Sequence, residues 1–392
     1  MKRYFGTVVR GIRTPIVKSG EDVAKIVTDS VIEAVRAENI KMRDKDVVAV
    51  TESLVARAQN NYASTHDIAC DVRSKFSKEF GVVFPILSRN RFSIILKGLA
   101  ESGLKMHILL SYPSDEVGNH LMNERDLFNK KINPYTDVLD EDEYEKLFGK
   151  SVHPFTGINY VDLYKSLAPN SEIHFSNDPR TILKFTDEVL VASIHTRDLV
   201  KDELKEAGAK VVYGLDDLLS EKTAKHGYNE DYGVLGSNLA GDNDVKLFPR
   251  DGQQVVDKIK EILDKEFGVN VEVMIYGDGA FKDPVGQIWE LADPVVSPAH
   301  TAGLAGTPNE IKIKYIADND FKDLKGEELR EAMVEKIEHK NKNLVGTNET
   351  LGTTPRRITD LIGSLSDLTS GSGDKGTPVV LIQGYFDNYS DN

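Results

Sequence analysis

The residues best suited to chemistry lie where apolar runs end in polar turns, and the densest such turn follows residue 277. An alternating apolar run over 271–276 is typical of a strand, and Gly277 and Gly279 then flank Asp278. A carboxylate is therefore expected at a strand end, within an acidic, glycine-containing stretch over 272–312. Loops of this composition leave backbone N–H groups available to a ligand. We interpret the stretch as a site for a polyanion and a metal ion.

A second polar turn follows the strand predicted over 107–110. Asp115, Glu116 and Asn119 offer the carboxylate and amide oxygens that Mg²⁺ and Mn²⁺ prefer, and adjacent carboxylates repel each other unless a cation holds them. A helix N-terminus with acidic residues in its first turn accounts for the same residues equally well. The sequence leaves both interpretations open.

A third polar concentration lies near the end of the chain. A helix predicted from Arg356 carries Asp360 and Asp367 on one face, because they are seven residues apart. A glycine-rich segment over 371–377 follows, and then a buried strand over 378–383. Successive N–H groups beside a lysine can form a concavity for phosphate, although the spacing is not that of a Walker A loop. A flexible surface linker is the alternative.

Apolar periodicity predicts the elements that must position these turns. Strands are expected over 4–9, 46–50, 82–87, 107–110, 188–193, 210–213, 312–317 and 378–383, and helices over 21–38, 93–102, 198–206, 252–267 and 326–340. Residues 188–213 therefore form a β-turn-α-β unit. This unit lacks the G-x-G-x-x-G fingerprint, so it does not indicate dinucleotide binding.

Composition narrows the class of protein. A chain of 392 residues, 40% of them hydrophobic, can build two or three lobes, and its net charge of −14 argues against a nucleic-acid surface. The single cysteine excludes an internal disulfide and a cysteine-based zinc site. Because neither a secretion signal nor an apolar run of membrane-spanning length is evident, we expect a cytoplasmic protein with small-molecule partners, without nucleic acid or membrane.

Four segments, in this order, resemble the coenzyme F420-0:L-glutamate ligase family, the gamma-glutamyl ligases, and particularly its longer bacterial members. They are GIRTPI over 11–16, VTESLVARA over 50–58, Asp278 behind its apolar strand, and the segment 367–384 with its acidic helix end, Gly-Asp turn and TPVVLIQG strand. Together these segments span nearly the whole chain.

The resemblance implies a fold as well as an assembly. The fold would be α+β, with two lobes of mixed sheets enlarged by a central insertion, and the assembly an intertwined homodimer. Residues 1–120 would form the N-terminal, nucleotide- and metal-binding part of the ligase core. Residues 121–270 would be the insertion or second lobe, and 271–392 the C-terminal part of the core.

The resemblance also implies a reaction. GTP would phosphorylate a substrate carboxylate, and the amine of L-glutamate would attack the acyl phosphate, with two Mg²⁺ or Mn²⁺ ions neutralising the phosphates. The acceptor would be F420-0. The alternatives are a folate or pterin acceptor, and an inactive homologue that only binds nucleotide and metal.

Site residues follow by matching positions to the family. Catalytic roles fall to Asp278 and Asp115, and the metal ligands would be Asp115 or Glu116, Asp278 and Asp367. Nucleotide contacts would come from Arg13, Thr14, Pro15, Thr51, Glu52, Arg57 and Asn119, with Arg57 standing where the family usually has lysine. The glycine-rich segment adds Gly371, Gly373, Asp374 and Lys375 as phosphate-binding candidates. Gly279 stands where the family often has threonine or serine, which leaves the second metal position open. The acceptor is open as well, because the enlarged insertion is where substrate selection would change.

Overall fold

The chain is described by a computed structural model that covers residues 4–154, 156–277, 297–351, 353, 356–371 and 373–391. Helices and sheets are interspersed, and the described strands form three sheets, which confirms the predicted α+β class with mixed sheets. Within these residues no helix combines the length and the apolar character needed to cross a membrane.

The strands are β1 (Val8–Ile12), β2 (Val47–Thr51), β3 (Tyr62–Ser64), β4 (Glu79–Val83), β5 (Lys105–Leu110), β6 (Leu139–Asp140), β7 (Ser171–Phe175), β8 (Glu188–Val191), β9 (Val211–Gly214), β10 (Asn238–Leu239), β11 (Asp244–Lys246), β12 (Glu272–Tyr276), β13 (Ala299–His300) and β14 (Val379–Gln383). The helices are α1 (Val23–Ala37), α2 (Glu52–Ala58), α3 (Thr65–Lys75), α4 (Phe92–Glu101), α5 (Glu124–Lys130), α6 (Glu141–Phe148), α7 (Tyr160–Leu167), α8 (Arg197–Glu206), α9 (Gly252–Phe267), α10 (Ile313–Asp318), α11 (Gly326–Glu338) and α12 (Ile358–Thr369).

The first sheet has five strands in the order β1-β14-β2-β12-β13. Strands β2 and β12 are parallel, whereas β14 runs antiparallel to both β1 and β2. Strands β1, β2 and β12 therefore end at the same edge, where β14 begins. We call this edge, marked by Ile12, Thr51, Tyr276 and Val379, the carboxyl edge.

Both faces of this sheet are covered, which explains the continuous apolar run of β2. Helices α1 and α9 pack on one face, where Val31 and Ile259 meet Val48 of β2. Helix α12 covers the other face and buries Ile362 against Ala49. The sheet is thus the rigid layer that fixes where the turns at its carboxyl edge lie.

The second sheet has six strands in the order β6-β7-β5-β4-β8-β9, and all of its pairings are parallel except that of β6 with β7. The unit β8-α8-β9 confirms the predicted β-turn-α-β element. A small antiparallel sheet, β10-β11-β3, completes the set. Strands β4 to β9 share one sheet although they lie on both sides of residue 120. The division of the chain at residues 120 and 270 stays a prediction.

Three predicted strands need correction. The strand predicted over 4–9 is β1, which begins only at Val8 and continues to Ile12, because these residues pair with Val379–Gln383 of β14. Residues 313–318 form α10, because Ile316 is buried against Met333 and Ile337 of α11. Six alternating residues are too few to separate a strand from a short helix. The strand predicted over 82–87 is β4, which ends at Val83 because Phe84 has a φ of 55° and turns the chain before Pro85.

Glycine at position 81 lets the six-stranded sheet approach the short 3-10 turn Pro179–Lys184. A Cβ at Gly81 would lie 2.3 Å from Cγ1 of Ile182, which is fully buried. We expect Gly81→Ala to lower the free energy of unfolding by about 1–3 kcal/mol through overpacking, as measured by urea denaturation. Gly6→Ala is the control, because nothing lies within 4 Å of the added methyl. Equal stability of the two variants would contradict the prediction.

Candidate active site

The carboxyl edge of the five-stranded sheet brings together most of the predicted polar turns. Residues 13–15 follow β1, Thr51 and Glu52 end β2 and open α2, and residues 371–377 lead into β14. Thr51 lies in register with Tyr276 at the end of β12, and Gly277 comes next in the chain. Ligands of open α/β sheets bind outside the carboxyl ends of strands. The predicted ligand Asp278 follows Gly277 in sequence and lies outside the described residues, as does the stretch up to 296.

The glycine-rich segment is a hairpin that packs against the turn after β1. The N–H of Thr377 donates to the carbonyl oxygen of Gly371 at 3.0 Å, and that of Thr14 donates to the carbonyl oxygen of Gly376 at 3.4 Å. A Cβ at Gly11 would meet Thr377 Cβ at 3.0 Å, so glycine permits this close approach. The structure thus joins two segments that are about 360 residues apart in sequence.

The tip of this hairpin is exposed. It consists of Gly373, Asp374 and Lys375. The Lys375 side chain runs across Gly371, and a Cβ atom added to Gly371 would lie 2.6 Å from Lys375 Cβ. The N–H groups of Gly371 and Gly376 already donate within the hairpin. Because these two N–H groups are used, a phosphate at the tip would be held mainly by the Lys375 ammonium group. The role of the tip in nucleotide binding stays a prediction.

A cavity of about 610 Å³ opens between the turn after β1 and helix α1. Its lining includes Arg10, Arg13, Thr14, Pro15 and Thr377. The hydroxyl oxygen of Thr377 is buried and has no hydrogen-bond partner among the described residues. Buried polar groups are normally paired, so this hydroxyl is available to a polar group of a ligand. The lining contains two arginines and two glutamates, Arg10, Arg13, Glu33 and Glu38, so an anionic ligand would have to bind at the arginine side chains.

A buried ion pair stands at the end of β2, and the sequence analysis did not find one of its members. Lys246 Nζ lies 3.0 Å from Glu52 Oε1, also contacts the Ser53 hydroxyl, and the two charged side chains are only 11% and 7% exposed. Lys246 belongs to β11, a short strand that the sequence analysis did not predict. The available signal was a lysine alternating with the buried residues Val245 and Leu247.

The two remaining candidates of this sheet, Asp367 and Arg57, lie at different distances from the carboxyl edge. Asp367 is half-buried in the last turn of α12, and the chain continues from there into the Gly371 hairpin, so this helix end also faces the carboxyl edge. Arg57 is exposed in the last turn of α2, about 9 Å along the helix axis from Thr51. The structure therefore brings Asp367 toward the edge, whereas Arg57 lies more than one helical turn away from it.

Asp115 belongs to the other large sheet, in the turn after β5. Its Oδ2 accepts hydrogen bonds from Leu87 N at 2.7 Å and Asn119 Nδ2 at 2.8 Å. Its Oδ1 accepts from Val117 N at 3.0 Å and Asn119 N at 2.8 Å. Burial raises the pKa of Asp115 to about 6 against the opposing effect of these donors, so the carboxylate is ionised at pH 7. This geometry describes a carboxylate that organises two loops.

Glu116 is bound at the N-terminus of α8. Its carboxylate accepts from the N–H groups of His195 at 3.1 Å and Thr196 at 3.3 Å, and also from that of Ile194. These N–H groups belong to the turn that leads into α8 and to its N-cap residue, Thr196, where the helix dipole also favours a negative charge. A metal ion at Asp115 or Glu116 would have to displace these donors, and the assignment of both residues as metal ligands stays a prediction.

The variant Asp115→Asn separates the two roles of this residue. An asparagine would direct an NH₂ group at N–H donors, so we expect the free energy of unfolding to fall by about 2–4 kcal/mol. Chemical denaturation measures this, with Asp142→Asn as the control, because Asp142 is exposed on α6. Unchanged stability together with weaker Mn²⁺ binding would show instead that Asp115 is a metal ligand.

The comparison with known families agrees with the geometry at the carboxyl edge. A family model described as F420-0:Gamma-glutamyl ligase matches residues 11–384. No curated protein matches the chain significantly. The match begins at Gly11, beside the Arg13 turn, and ends at Gly384, directly after β14. It thus includes β2, β12, β13, β14 and the last two residues of β1, together with both loops that line the cavity. The chain belongs to the F420-0:gamma-glutamyl ligase family.

Proposed function

We propose that this protein is a GTP-dependent ligase that joins L-glutamate to a carboxylate acceptor, F420-0, through an acyl phosphate. Family membership supports the ligase class. One structural observation supports the location: the turns at residues 13–15, 51–52, 277 and 371–377, far apart in the chain, meet at one edge of a rigid sheet beside a cavity.

The residues at this edge have the chemistry that an anionic substrate needs. Arg10 and Arg13 present guanidinium groups to the cavity, where they would orient a phosphate or carboxylate by paired hydrogen bonds. The Thr377 hydroxyl would complete such a set by donating to a substrate oxygen. Lys246 pairs with Glu52 at the end of β2 and fixes the start of α2 beside the ligand.

Two divalent ions fit the proposed reaction because the chain is acidic. Carboxylate oxygens are the ligands that Mg²⁺ and Mn²⁺ prefer, and Asp367, at the helix end that faces the carboxyl edge, would hold one of them with Asp278. When bound, such ions neutralise the charge of the transferring phosphoryl group. The arginine side chains would then act on the acceptor carboxylate and on the nucleotide.

We further propose that the protein is a cytoplasmic homodimer that associates through the edge strand β1. The outer side of β1 is not paired within the described sheet, and the nearby side chains of Tyr4, Phe5 and Ile16 are 84%, 82% and 81% exposed. An open strand edge flanked by exposed apolar groups is suited to pairing with a second copy. Light scattering on the purified chain tests this, and a monomeric mass at micromolar concentration would contradict it.

The activity is tested by incubating the protein with L-glutamate, Mn²⁺ and GTP, and with F420-0 or a folate as acceptor. We expect the acceptor to gain the mass of one glutamyl residue, in a reaction that stops when GTP or metal is withheld. If product forms with folate but not with F420-0, the acceptor is a pterin. Tight GTP binding without product from either acceptor would refute the ligase and indicate a binding protein.

A further inference from the structure

Two histidines and a glutamate meet on one face of the six-stranded sheet, away from the carboxyl edge of the first sheet. In the parallel pairing of β5 with β7, His107 lies opposite Glu172, and Leu109 lies opposite His174. Alternate residues of a strand point to the same face, so the two histidines and the glutamate share it. One donor atom from each of the three side chains lies within 4.8 Å of the other two.

The imidazole rings are buried, and three of their nitrogens make no hydrogen bond among the described residues, although carboxylate oxygens lie 3.2 to 4.0 Å from them. His107 and His174 are only 3% and 8% exposed. Neither ring nitrogen of His107, nor Nε2 of His174, makes a hydrogen bond with the described residues. Phe185 stacks on both rings, at centroid distances of 5.3 and 3.8 Å, which fixes their planes without satisfying their nitrogens. Buried nitrogens without partners call for an explanation, and a bound ion is one.

One nitrogen of each imidazole ring faces the same carboxylate oxygen. Glu172 Oε2 lies 3.2 Å from Nδ1 of His107 and 4.0 Å from Nε2 of His174. A tetrahedral zinc ion with bonds of about 2.0–2.1 Å requires donor atoms roughly 3.3 Å apart. These donors therefore need only small side-chain movements to enclose such an ion.

We propose that His107, Glu172 and His174 form a metal site for a zinc-class divalent cation, with a fourth position open to solvent. Two imidazoles and one carboxylate are a donor set that zinc adopts in proteins. The site is separate from the oxygen-rich position proposed for Mg²⁺ or Mn²⁺, and it does not depend on the ligase activity. Its ligands come from the adjacent strands β5 and β7, so a bound ion would cross-link these two strands.

The surrounding side chains support these roles. Nε2 of His107, on the far side of the ring from Glu172, lies 3.5 Å from Glu79 Oε2. A histidine that binds metal through one nitrogen commonly donates its other N–H to a carboxylate in this way. The second oxygen of Glu172, Oε1, is held by Lys105 Nζ at 2.9 Å, which leaves Oε2 for the ion.

The site is tested on the full chain after treatment with a chelator, in buffer with excess Mg²⁺. Magnesium saturates the oxygen sites and competes poorly for imidazole. Co²⁺ should then give the visible absorption of a tetrahedral complex, and Zn²⁺ should displace it in equal amount and raise the unfolding temperature. We expect His174→Gln and Glu172→Gln each to weaken Zn²⁺ binding at least about 100-fold, and Glu79→Gln by about 10–100-fold.

Matched controls make the result decisive. His66→Gln removes an exposed histidine that also lies beside a glutamate, Glu101, at 3.1 Å, and it should leave Zn²⁺ affinity unchanged. Because Glu172 is half-exposed, Glu172→Gln should fold normally and can stand in for His174→Gln if that variant is unstable. The proposal is overturned if Zn²⁺ binds these variants as tightly as the natural chain, or if His66→Gln weakens binding as much as they do.

Discussion

Replacing Asp278 with asparagine is expected to reduce glutamyl transfer at least about 10³-fold while leaving the unfolding temperature unchanged. Asp278 follows Gly277 at the end of β12, whose last residue is in register with Thr51 at the carboxyl edge. A carboxylate that holds a phosphate-bound metal ion contributes several kcal/mol to transition-state stabilisation, and each 1.36 kcal/mol, approximately, changes the rate tenfold. The amide keeps the size of the side chain and removes its charge.

The rate is measured with GTP, L-glutamate, the acceptor and Mn²⁺, and metal binding is measured separately by calorimetry. The variant should lose Mn²⁺ affinity together with activity. Asp257→Asn is the matched control, because Asp257 is exposed on α9, the helix that leads into β12, and should retain full activity. A fully active Asp278→Asn enzyme would show that this residue is not a metal ligand.

Local elements were predictable where the apolar pattern was long or where the apolar run was continuous. Helix α9 spans the predicted residues 252–267, and the strands β2, β12 and β14 lie within about one residue of their predicted limits. The six alternating residues at 312–317 failed because a short pattern fits two structures. The strands β2, β12 and β14 are no longer than this segment, but nearly all of their residues are apolar and buried, whereas 312–317 contains two lysines and a single fully buried residue, Ile316.

The site was predictable only in part, because its geometry depends on strand order. Sequence identified the turns after β1 and β2 and before β14 as polar, but not that β14 lies between these two strands. The chain also gave no indication that Lys246 would pair with Glu52, since the partners are 194 residues apart. Asp115 shows the converse, because residues typical of a metal site can equally organise a loop with N–H donors.

Replacing Lys246 with methionine is expected to lower the free energy of unfolding by about 3–5 kcal/mol. The side chains of Lys246 and Glu52 are 11% and 7% exposed, so the variant leaves the Glu52 carboxylate buried without its lysine. Removing one member of a buried pair costs this much because the other charge stays desolvated. Glutamyl transfer should fall as well, since the start of α2 borders the proposed ligand.

A double variant shows whether the pair itself is responsible. Glu52→Gln combined with Lys246→Met removes both charges and should recover most of the lost stability. Substitutions at residues in direct contact do not have additive effects on the free energy of unfolding. Lys258→Met is the matched control, since its ion pair with Asp22, at 2.7 Å, is about half exposed at both ends and should contribute less than about 1 kcal/mol. If the double variant is as unstable as Lys246→Met alone, Lys246 stabilises the carboxyl edge through packing rather than through the charge of Glu52.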